Sequence, residues 1–545
     1  MPLRSVFILA YFNNPKRKRE GRREPILSHS LALRASVCIA LAVACFSFAS
    51  LFVSIASAND GQLELSIVDR DTGKPLACRI HLKNAAGRPV QVPKTPFYND
   101  HFVFEDKILL KLPVGTYKFE IERGPEYLWR EGSFTINTFA DDAKTIDMKR
   151  FADMSGEGWW SGDLDVRRNI DHLPLLMRAD DLHVVPLTTW SNGKSELLKL
   201  PPVEQNVVTV DTNRYFFQMG SSDARAGGTL LYFNLPRHLE LKNATPEFPS
   251  GVQVAKEAKE KGAWIDAPRP FDWDLPVWVA NGAIDSLEIA NRNQLRDGVI
   301  DNETGGKARD KDAFRGSLGN GRWSQQIYYH LLNCGLRIPP SAGSGSGIVP
   351  NPVGYNRAYV QIDGEFSYEK WWDGLRDGRV VVTNGPLLRP IVQGHYPGHT
   401  FFSSAGDPLE LEIGVTLSVR TPDVISYLEI VKDGRVQESI RLDQWKKMGG
   451  KLPKLKFTES GWFLLRAVCD GTKTYRHAMT GPYYVQIGER PKRISKTSAQ
   501  FFLDWVIERA KQLKIDDPDQ REAVLAYHRA ARDFFQDLVE KANAE

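Results

Sequence analysis

Short apolar runs alternate with helical stretches between residues 155 and 385, and this alternation constrains the fold more than any other feature. LHVVPLTTW (182–190) and TLLYFNL (229–235) are strand-like apolar runs. VQVAKEAKEKG (252–262) and SQQIYYHLLNCG (324–335) favour helices, and each ends in a glycine that stops a helix. Strands that alternate with helices are typical of α/β architectures. We therefore predict an α/β domain over 155–385.

Strand patterns without helices flank this region on both sides. LELEIGVTLSV (409–419) repeats apolar residues with a period of two, which predicts a β-sandwich over 386–488. Residues 59–150 alternate in the same way and contain PVGTY (113–117) followed by ERGPEY. That order resembles the transthyretin-like, carboxypeptidase-regulatory type of β-sandwich. The fold class predicted for the whole chain is therefore multidomain, with α/β and all-β parts.

The end of the chain has the spacing of two helices. Ser498 is placed to cap AQFFLDWVIERAKQL, and Asp517-Pro518 is a helix start signal. Apolar residues follow both signals at helical spacing, as on a helix that packs on a core. We predict a helical hairpin over 495–545 that packs on the body of the protein, with a binding arm as the alternative.

Residues 1–58 have the order of a signal peptide. A basic stretch precedes the apolar run 35–58, which ends in Ala56-Ser57-Ala58. Without this segment, Lys and Arg fall from 71 to 63 and Asp and Glu from 67 to 65, so the net charge changes from +4 to −2. We expect an exported protein, periplasmic, secreted or on the cell surface, that begins at Asn59. Retention of the run as a membrane anchor is the alternative, because it is long enough to span a bilayer.

The charge and the cysteines exclude several classes of protein. A mature chain of charge −2 has no basic surplus for binding nucleic acid, so no nucleic-acid partner is expected. The three cysteines beyond the apolar run, Cys78, Cys334 and Cys469, are too few and too far apart for a disulfide framework or a zinc finger.

Four segments carry a resemblance to one branch of a metallohydrolase superfamily. They are GWWSGDLDVRRN (158–169), RADDLHVVPLTTWSN (178–192), YYHLLNCGLRIPPSAGSGSG (328–347) and GRVVVTNGPLLRP (378–390). Together they resemble the carbaryl-hydrolase-like (CehA/McbA) branch of the polymerase and histidinol phosphatase (PHP) superfamily. The resemblance implies a distorted (β/α)7 barrel with divalent ions at the strand C-termini. It also implies hydrolysis of phosphoester, carbamate or ester bonds by metal-bound water.

Most of the metal ligands that the resemblance implies are missing. The family histidine positions hold Asp165, Arg167, Trp190 and Gly347, and only Asp223 is acidic where a family glutamate is expected. Arginine, tryptophan and glycine side chains do not bind metal ions, so the family site cannot form as it does in relatives. We expect a PHP-like barrel without the family's metal centre.

Other carboxylates could supply a replacement site, and an all-oxygen site would favour Mg²⁺, Mn²⁺ or Ca²⁺ over Zn²⁺. The alternative is that these groups cap helices and pair with arginines. His183 lies in an apolar strand, as a hydrogen-bonded core histidine does. The predicted pocket consists of Asp163, Asp165, Arg167, Trp190, Asp223, Asp266, Asp272, Asp274, Glu288, Asn293 and Gly345.

Two finer expectations concern this pocket. Asp272 and Asp274 share a face if their segment is extended. Arg167 lies on the same strand face as Asp163 and Asp165, so its guanidinium can act as a cation where relatives keep a metal ion.

Three functions remain open on the sequence alone, and none of the residues is firmly catalytic or metal-binding. The first is a non-catalytic ligand-binding or interaction protein for a small molecule or glycan, with no cofactor. The second is an active metal-dependent hydrolase of ester or phosphoester bonds that uses a rebuilt, carboxylate-rich site with Mg²⁺, Mn²⁺ or Ca²⁺. The third is a structural surface protein. A membrane partner is expected only if the signal segment is retained.

Overall fold

The chain beyond the predicted signal peptide folds into sheets and helices in which strand outweighs helix, 39% to 21%. A computed structural model describes residues 60–192, 194–195, 206–241, 243–316, 318–419, 425–469, 471, 473–489 and 492–545. The predicted signal peptide lies outside these residues. Within them, no helix has both the length and the apolar character needed to cross a bilayer.

The N-terminal part is a pair of sheets with an apolar core between them. One sheet has the order β5-β1-β8 and the other the order β3-β4-β2-β6-β7. Alternate residues of β1, including Leu63, Leu65 and Ile67, are buried in that core, as a strand with one solvent face requires. The strands are β1 (Asp60–Asp69), β2 (Ala77–Asn84), β3 (Phe97–Tyr98), β4 (His101–Glu105), β5 (Lys107–Pro113), β6 (Gly115–Glu122), β7 (Arg130–Ile136) and β8 (Asp141–Met148).

The middle region alternates strands with helices. Its strands are β9 (Trp159–Gly162), β10 (Val184–Ser191), β11 (Lys194–Ser195), β12 (Val207–Asp211), β13 (Arg214–Arg225), β14 (Gly228–Phe233), β15 (Trp264–Ala267), β16 (Ser286–Ala290), β17 (Gln294–Leu295), β18 (Gly298–Val299), β19 (Pro340–Ala342), β20 (Arg357–Gln361) and β21 (Val380–Thr383). Its helices are Ile170–His172 (3-10), Leu173–Ala179, Gly251–Lys259, Leu275–Ala280, Gly319–Asn333 and Tyr368–Arg376.

The strands of the middle region close into a ring. β9, β10 and β13 are parallel neighbours, as are β15, β16 and β19, and β14 joins the two sets antiparallel. The segment that follows β9 closes the ring, because Val166 bridges both Leu187 and Ser346 in parallel. Most strands therefore end at the same edge, where polar residues that follow them can meet.

Glycines explain where the fourth α-helix of this region begins. The helix Gly319–Asn333 begins five residues before the segment 324–335 that predicts it, and its first turn contains Gly319 and Gly321. A Cβ at Gly321 would lie 2.2 Å from the ring of Tyr475, so only glycine allows this close approach. Glycine has a low helix propensity, so the sequence does not predict this first helical turn, which packs against the aromatic ring of Tyr475.

A second pair of sheets follows, and it shares hydrogen bonds with the ring. β21 pairs antiparallel with β30, so the sheet continues across the predicted boundary at residue 385. The segment 409–419 is two strands instead of one, because β24 pairs with β28 whereas β25 pairs with β22. The strands are β22 (Leu387–Val392), β23 (Thr400–Ser403), β24 (Leu409–Leu411), β25 (Ile413–Ser418), β26 (Ile425–Lys432), β27 (Arg435–Arg441), β28 (Leu455–Phe457), β29 (Gly461–Cys469), β30 (His477–Thr480) and β31 (Tyr483–Ile487), with a helix at Leu442–Lys447.

The helices Lys496–Gln512 and Pro518–Glu540 end the chain as a hairpin. The predicted cap at Ser498 is wrong, because Ser495 is the N-cap and its hydroxyl accepts a hydrogen bond from the Ser498 amide. Both serines suit a cap, and the sequence does not show where the first turn begins. The hairpin packs on the ring, and the buried Arg509 joins it there to Asp274 and Glu247.

Candidate functional site

Four carboxylates are buried together at the strand-end edge of the ring. Asp163 and Asp165 follow β9, Asp266 lies on β15 and Glu288 lies on the neighbouring β16, and each is 0% exposed. Four ionised carboxylates in a dry interior would repel one another, so each needs a cation, a proton or hydrogen-bond donors. In the structure, hydrogen-bond donors serve Asp163, arginines serve Asp165, and a raised pKa favours a proton on Glu288.

Backbone amides bind Asp163. Its Oδ1 accepts a hydrogen bond from the Ser344 amide at 2.9 Å, and its Oδ2 accepts one from the Gly354 amide at 2.7 Å. Burial raises the pKa of Asp163 to about 7, while these donors act in the opposite direction. Both oxygens are thus used to hold the 344–354 segment against the strand, which is a structural role.

Asp266 and Glu288 form the least compensated part of the group. Ser341 Oγ donates to Asp266 Oδ1 at 2.5 Å, but Asp266 Oδ2 and both oxygens of Glu288 are buried without a hydrogen-bond partner. Burial, and then repulsion by Asp266 and Asp165, raises the pKa of Glu288 well above its usual range. Burial raises the pKa of Asp266 to about 6. The raised pKa favours the protonated form of Glu288, which can act as a hydrogen-bond donor.

Two arginines compensate Asp165. Arg167 Nε lies 3.7 Å from Asp165 Oδ1, and Arg292 Nη1 lies 3.5 Å from Asp165 Oδ2. Arg167 also donates to Ser222 Oγ at 3.0 Å, and Arg292 is 3.4 Å from Thr229 Oγ1. A cation thus lies beside Asp165, as expected for Arg167, and Arg292, which no sequence pattern marks, is a second one.

Gly345 makes room for the second arginine. Its backbone is left-handed, with φ of +64°, and a Cβ there would lie 2.5 Å from the Arg292 Cβ. Gly343 likewise makes room for Glu288, because a Cβ on Gly343 would lie 2.2 Å from Glu288 Oε1. The glycines of the 343–347 segment therefore let the side chains of β16 and of the loop after it approach the ring closure.

A cavity of about 430 Å³ lies beside these side chains. Its wall includes the side chains of Arg167, Arg269, Arg292 and Asn293. Asn293 is held in place because its amide donates to the carbonyl oxygens of residues 300 and 302. Three arginines therefore line the cavity, whereas their carboxylate partners Asp165 and Asp272 are not among its lining residues.

Three predicted pocket acids are engaged in ion pairs of their own. Asp223 is bound by Arg225 through both oxygens, at 2.7 and 2.6 Å. Asp272 is paired with Arg269 at 2.5 Å, and Asp274 with Arg509 at 2.6 Å. Because residues 271–274 form a turn before the helix Leu275–Ala280, and not an extended segment, Asp272 and Asp274 have different partners and share no face.

Two other predicted residues lie outside the carboxylate group. Trp190 is part of β10, where it is opposite Ser221 of β13, and it is not among the residues that line the cavity. His183 is buried, and its Nδ1 is hydrogen-bonded to Ser161 Oγ at 2.9 Å, as in a core histidine. The ring of Trp160 packs edge-on against it at 4.9 Å.

The carboxylate group does not fit a metal ion of the family's kind. Divalent ions with oxygen ligands need several of those oxygens within bonding range of one point. Over the residues that the structure describes, no three of these carboxylates have oxygens within 4.8 Å of one another. Arg167 and Arg292 also place positive charge at Asp165, which opposes a second cation there.

Comparisons with known proteins identify no family for this chain. No family model matches it, and no curated protein matches it either. A crystal structure of the N-terminal four Ig domains of Dscam1 isoform 8.4 is 9% identical over 79% of this chain and 100% of that one, with a TM-score of 0.13. A TM-score this low carries no information about the fold or the function of this chain.

Removal of the two arginines tests the compensation of Asp165. We expect Arg167→Ala alone to lower the free energy of unfolding by about 1 kcal/mol, because its side chain is 23% exposed and Arg292 remains. The double variant with Arg292→Ala should lose about 3 kcal/mol, since the buried Asp165 then has no counter-charge. Urea unfolding measures both values. Arg315→Ala, whose side chain is 79% exposed, is the control, and an unchanged double variant would contradict the pairing.

Proposed function

We propose that this protein is an exported, non-catalytic ligand-binding protein with a PHP-like barrel, and that its cavity takes a small molecule or glycan fragment that carries an acidic group. The observation that supports it is the cavity wall with Arg167, Arg269 and Arg292. Guanidinium groups suit carboxylate, sulfate or phosphate oxygens because their planar donors bind two oxygens at once.

The charge balance around the cavity supports an anionic ligand. The three guanidinium groups have two carboxylate partners, since Asp165 is shared by Arg167 and Arg292 and Asp272 pairs with Arg269. The raised pKa of Glu288 favours its uncharged form, so it opposes an anionic ligand less than an ordinary glutamate would. Arg167 and Arg292 share the single carboxylate of Asp165, so a ligand's anionic group can pair with them in addition. The neighbouring Asn293 and Thr229 supply polar groups for orientation.

Calorimetric titration with acidic and neutral probes tests this function. We expect glucuronate, sulfate or phosphate to bind, and glucose to bind at least about 10-fold more weakly, because a charge-assisted hydrogen bond contributes about 1.5–3 kcal/mol. Arg292→Gln should weaken binding of the acidic probe by a similar factor. Arg237→Gln is a matched control, because Arg237 lines a different cavity of about 540 Å³. Equal binding of charged and neutral probes, or binding that survives Arg292→Gln, would argue against the proposal.

The second candidate is a metal-dependent hydrolase with a rebuilt oxygen site. It is favoured by one observation, the buried oxygens of Glu288 and Asp266 that have no hydrogen-bond partner. A proton would satisfy them as they stand, whereas an ion such as Mg²⁺ or Mn²⁺ would also need a third carboxylate to move within range. The two candidates therefore differ in whether Glu288 is ionised, and this is accessible to experiment.

A further inference from the structure

A second group of ionisable side chains lies in the N-terminal sandwich, away from the cavity. His81 is on β2, His101 is the first residue of β4, and Asp100 precedes it in the turn from β3. The antiparallel register pairs Ile80 with Phe102, so His81 comes opposite His101. The two imidazole centroids are 5.0 Å apart.

Asp100 lies between the two histidines. Its Oδ2 is 3.0 Å from His81 Nδ1, and its Oδ1 is 3.2 Å from His101 Nδ1. The ligand atoms of these three residues all lie within 4.8 Å of one another. Ligands at 2.0–2.1 Å from a tetrahedral zinc ion are about 3.3 Å apart, so small shifts would bring all three onto one ion.

His81 also has an unused nitrogen. The residue is only 5% exposed, and its buried Nε2 has no hydrogen-bond partner. His81 is opposite Glu120 of β6, and with Glu120 and Glu122 it forms another set of ligand atoms within 4.8 Å. A buried polar atom without a partner is costly, which points to a ligand at this position.

We propose that His81, Asp100 and His101 bind one divalent transition-metal ion of the Zn²⁺ type. Imidazole nitrogen combined with carboxylate oxygen is a usual ligand set for Zn²⁺. The site joins β2 and β4, and Asp100, which is 31% exposed on its side chain, gives the ion a path from solvent.

Nearby arginines do not prevent cation binding. Arg79 is paired with Glu122 and Asp180, and Arg296 is paired with Glu120, Glu122 and Asp297. The two cations thus have four carboxylate partners, and the surroundings of the site keep a negative balance. Arg79 and Arg296 also link the sandwich to the ring, so an ion here would strengthen that junction.

Zinc titration of the purified protein tests the site. The protein is first stripped of metal with EDTA and dialysed, and Zn²⁺ is then added. We expect the wild-type protein to retain one Zn²⁺ per chain in equilibrium dialysis. Asp100→Ala, at a partly exposed turn, should weaken retention at least about 10-fold, and His101→Gln should do the same. His399→Gln is the control, because His399 stacks on His395 in a separate histidine pair. Wild type without Zn²⁺, or variants that retain it like the control, would overturn the proposal.

Cobalt gives a readout that does not depend on how the variants fold. Co²⁺ bound to wild-type protein should show the intense visible absorption of a tetrahedral site, and Zn²⁺ should displace it. A weak octahedral spectrum would overturn the assignment. Asp165→Asn and Glu288→Gln should leave zinc retention unchanged, so the outcome is independent of the proposed ligand cavity.

Discussion

Arg79→Ala is expected to lower the free energy of unfolding by about 3–5 kcal/mol. The guanidinium of Arg79 is 3% exposed, donates to Glu122 at 2.7 Å and also donates to Asp180. Both partners are themselves buried, at 4% and 2% exposure. Both carboxylates are already removed from water in the folded state. Loss of the arginine therefore leaves Asp180 without its ion-pair partner, whereas Glu122 keeps Arg296.

Chemical denaturation of Arg79→Ala measures this loss of stability, and Arg178→Ala is the control. Arg178 also links the two parts of the protein, but its side chain is 31% exposed and its partner Glu105 is 50% exposed. We expect that control to lose under about 1 kcal/mol, because solvent screens the pair. Similar losses for the two variants would show that burial of the Arg79 network contributes little.

Glu288→Gln is expected to stabilise the protein increasingly as the pH rises. The folded pKa of Glu288 is raised, so above the pKa of an unfolded glutamate the unfolded chain releases a proton that the folded chain keeps. The wild type therefore loses stability with rising pH until the folded pKa is passed, by up to about 1.4 kcal/mol per pH unit from this group. Glutamine does not titrate, so the difference between variant and wild type should be near zero at pH 4 and largest at pH 8.

Thermal unfolding at several pH values, with EDTA or with Mg²⁺ or Mn²⁺, measures the difference. Glu131→Gln is the control, because Glu131 is exposed on β7. A Glu288→Gln variant that is less stable than wild type at pH 8, and that loses a stabilisation by Mg²⁺ or Mn²⁺, would contradict the protonated carboxyl. It would favour the rebuilt hydrolase site instead.

Periodicity predicted the elements that depend on local pattern. The runs 182–190 and 229–235 correspond to β10 and β14, and the glycines at 262 and 335 follow the ends of the helices Gly251–Lys259 and Gly319–Asn333. Such elements depend on the backbone preferences of neighbouring residues and on which face of the element is buried. Both can be recognised within a short segment of sequence. The PHP-like family assignment remains a prediction.

Features that depend on partners distant in sequence were not predictable in the same way. Arg292 reaches Asp165, which is 127 residues earlier, and no local pattern marks it. His81 and Asp100 are 19 residues apart, a spacing that matches no common metal motif. Asp274 looked like a pocket acid, but its partner Arg509 belongs to the final helical hairpin. The order in which strands and helices pack together decides these pairings, and the local sequence around each residue does not show it.

The ladder between β21 and β30 limits how the two neighbouring cores can move. A hinge between domains needs a connection with few hydrogen bonds, whereas Val381, Val382 and Thr383 pair directly with residues 478–480. Bending at residue 385 would break that ladder, so the ring and the second sandwich move as one body. Residues 300, 302 and 304 line the cavity, so movement of their loop can change its shape, whereas one half of the molecule swinging away from the other cannot occur without loss of the ladder.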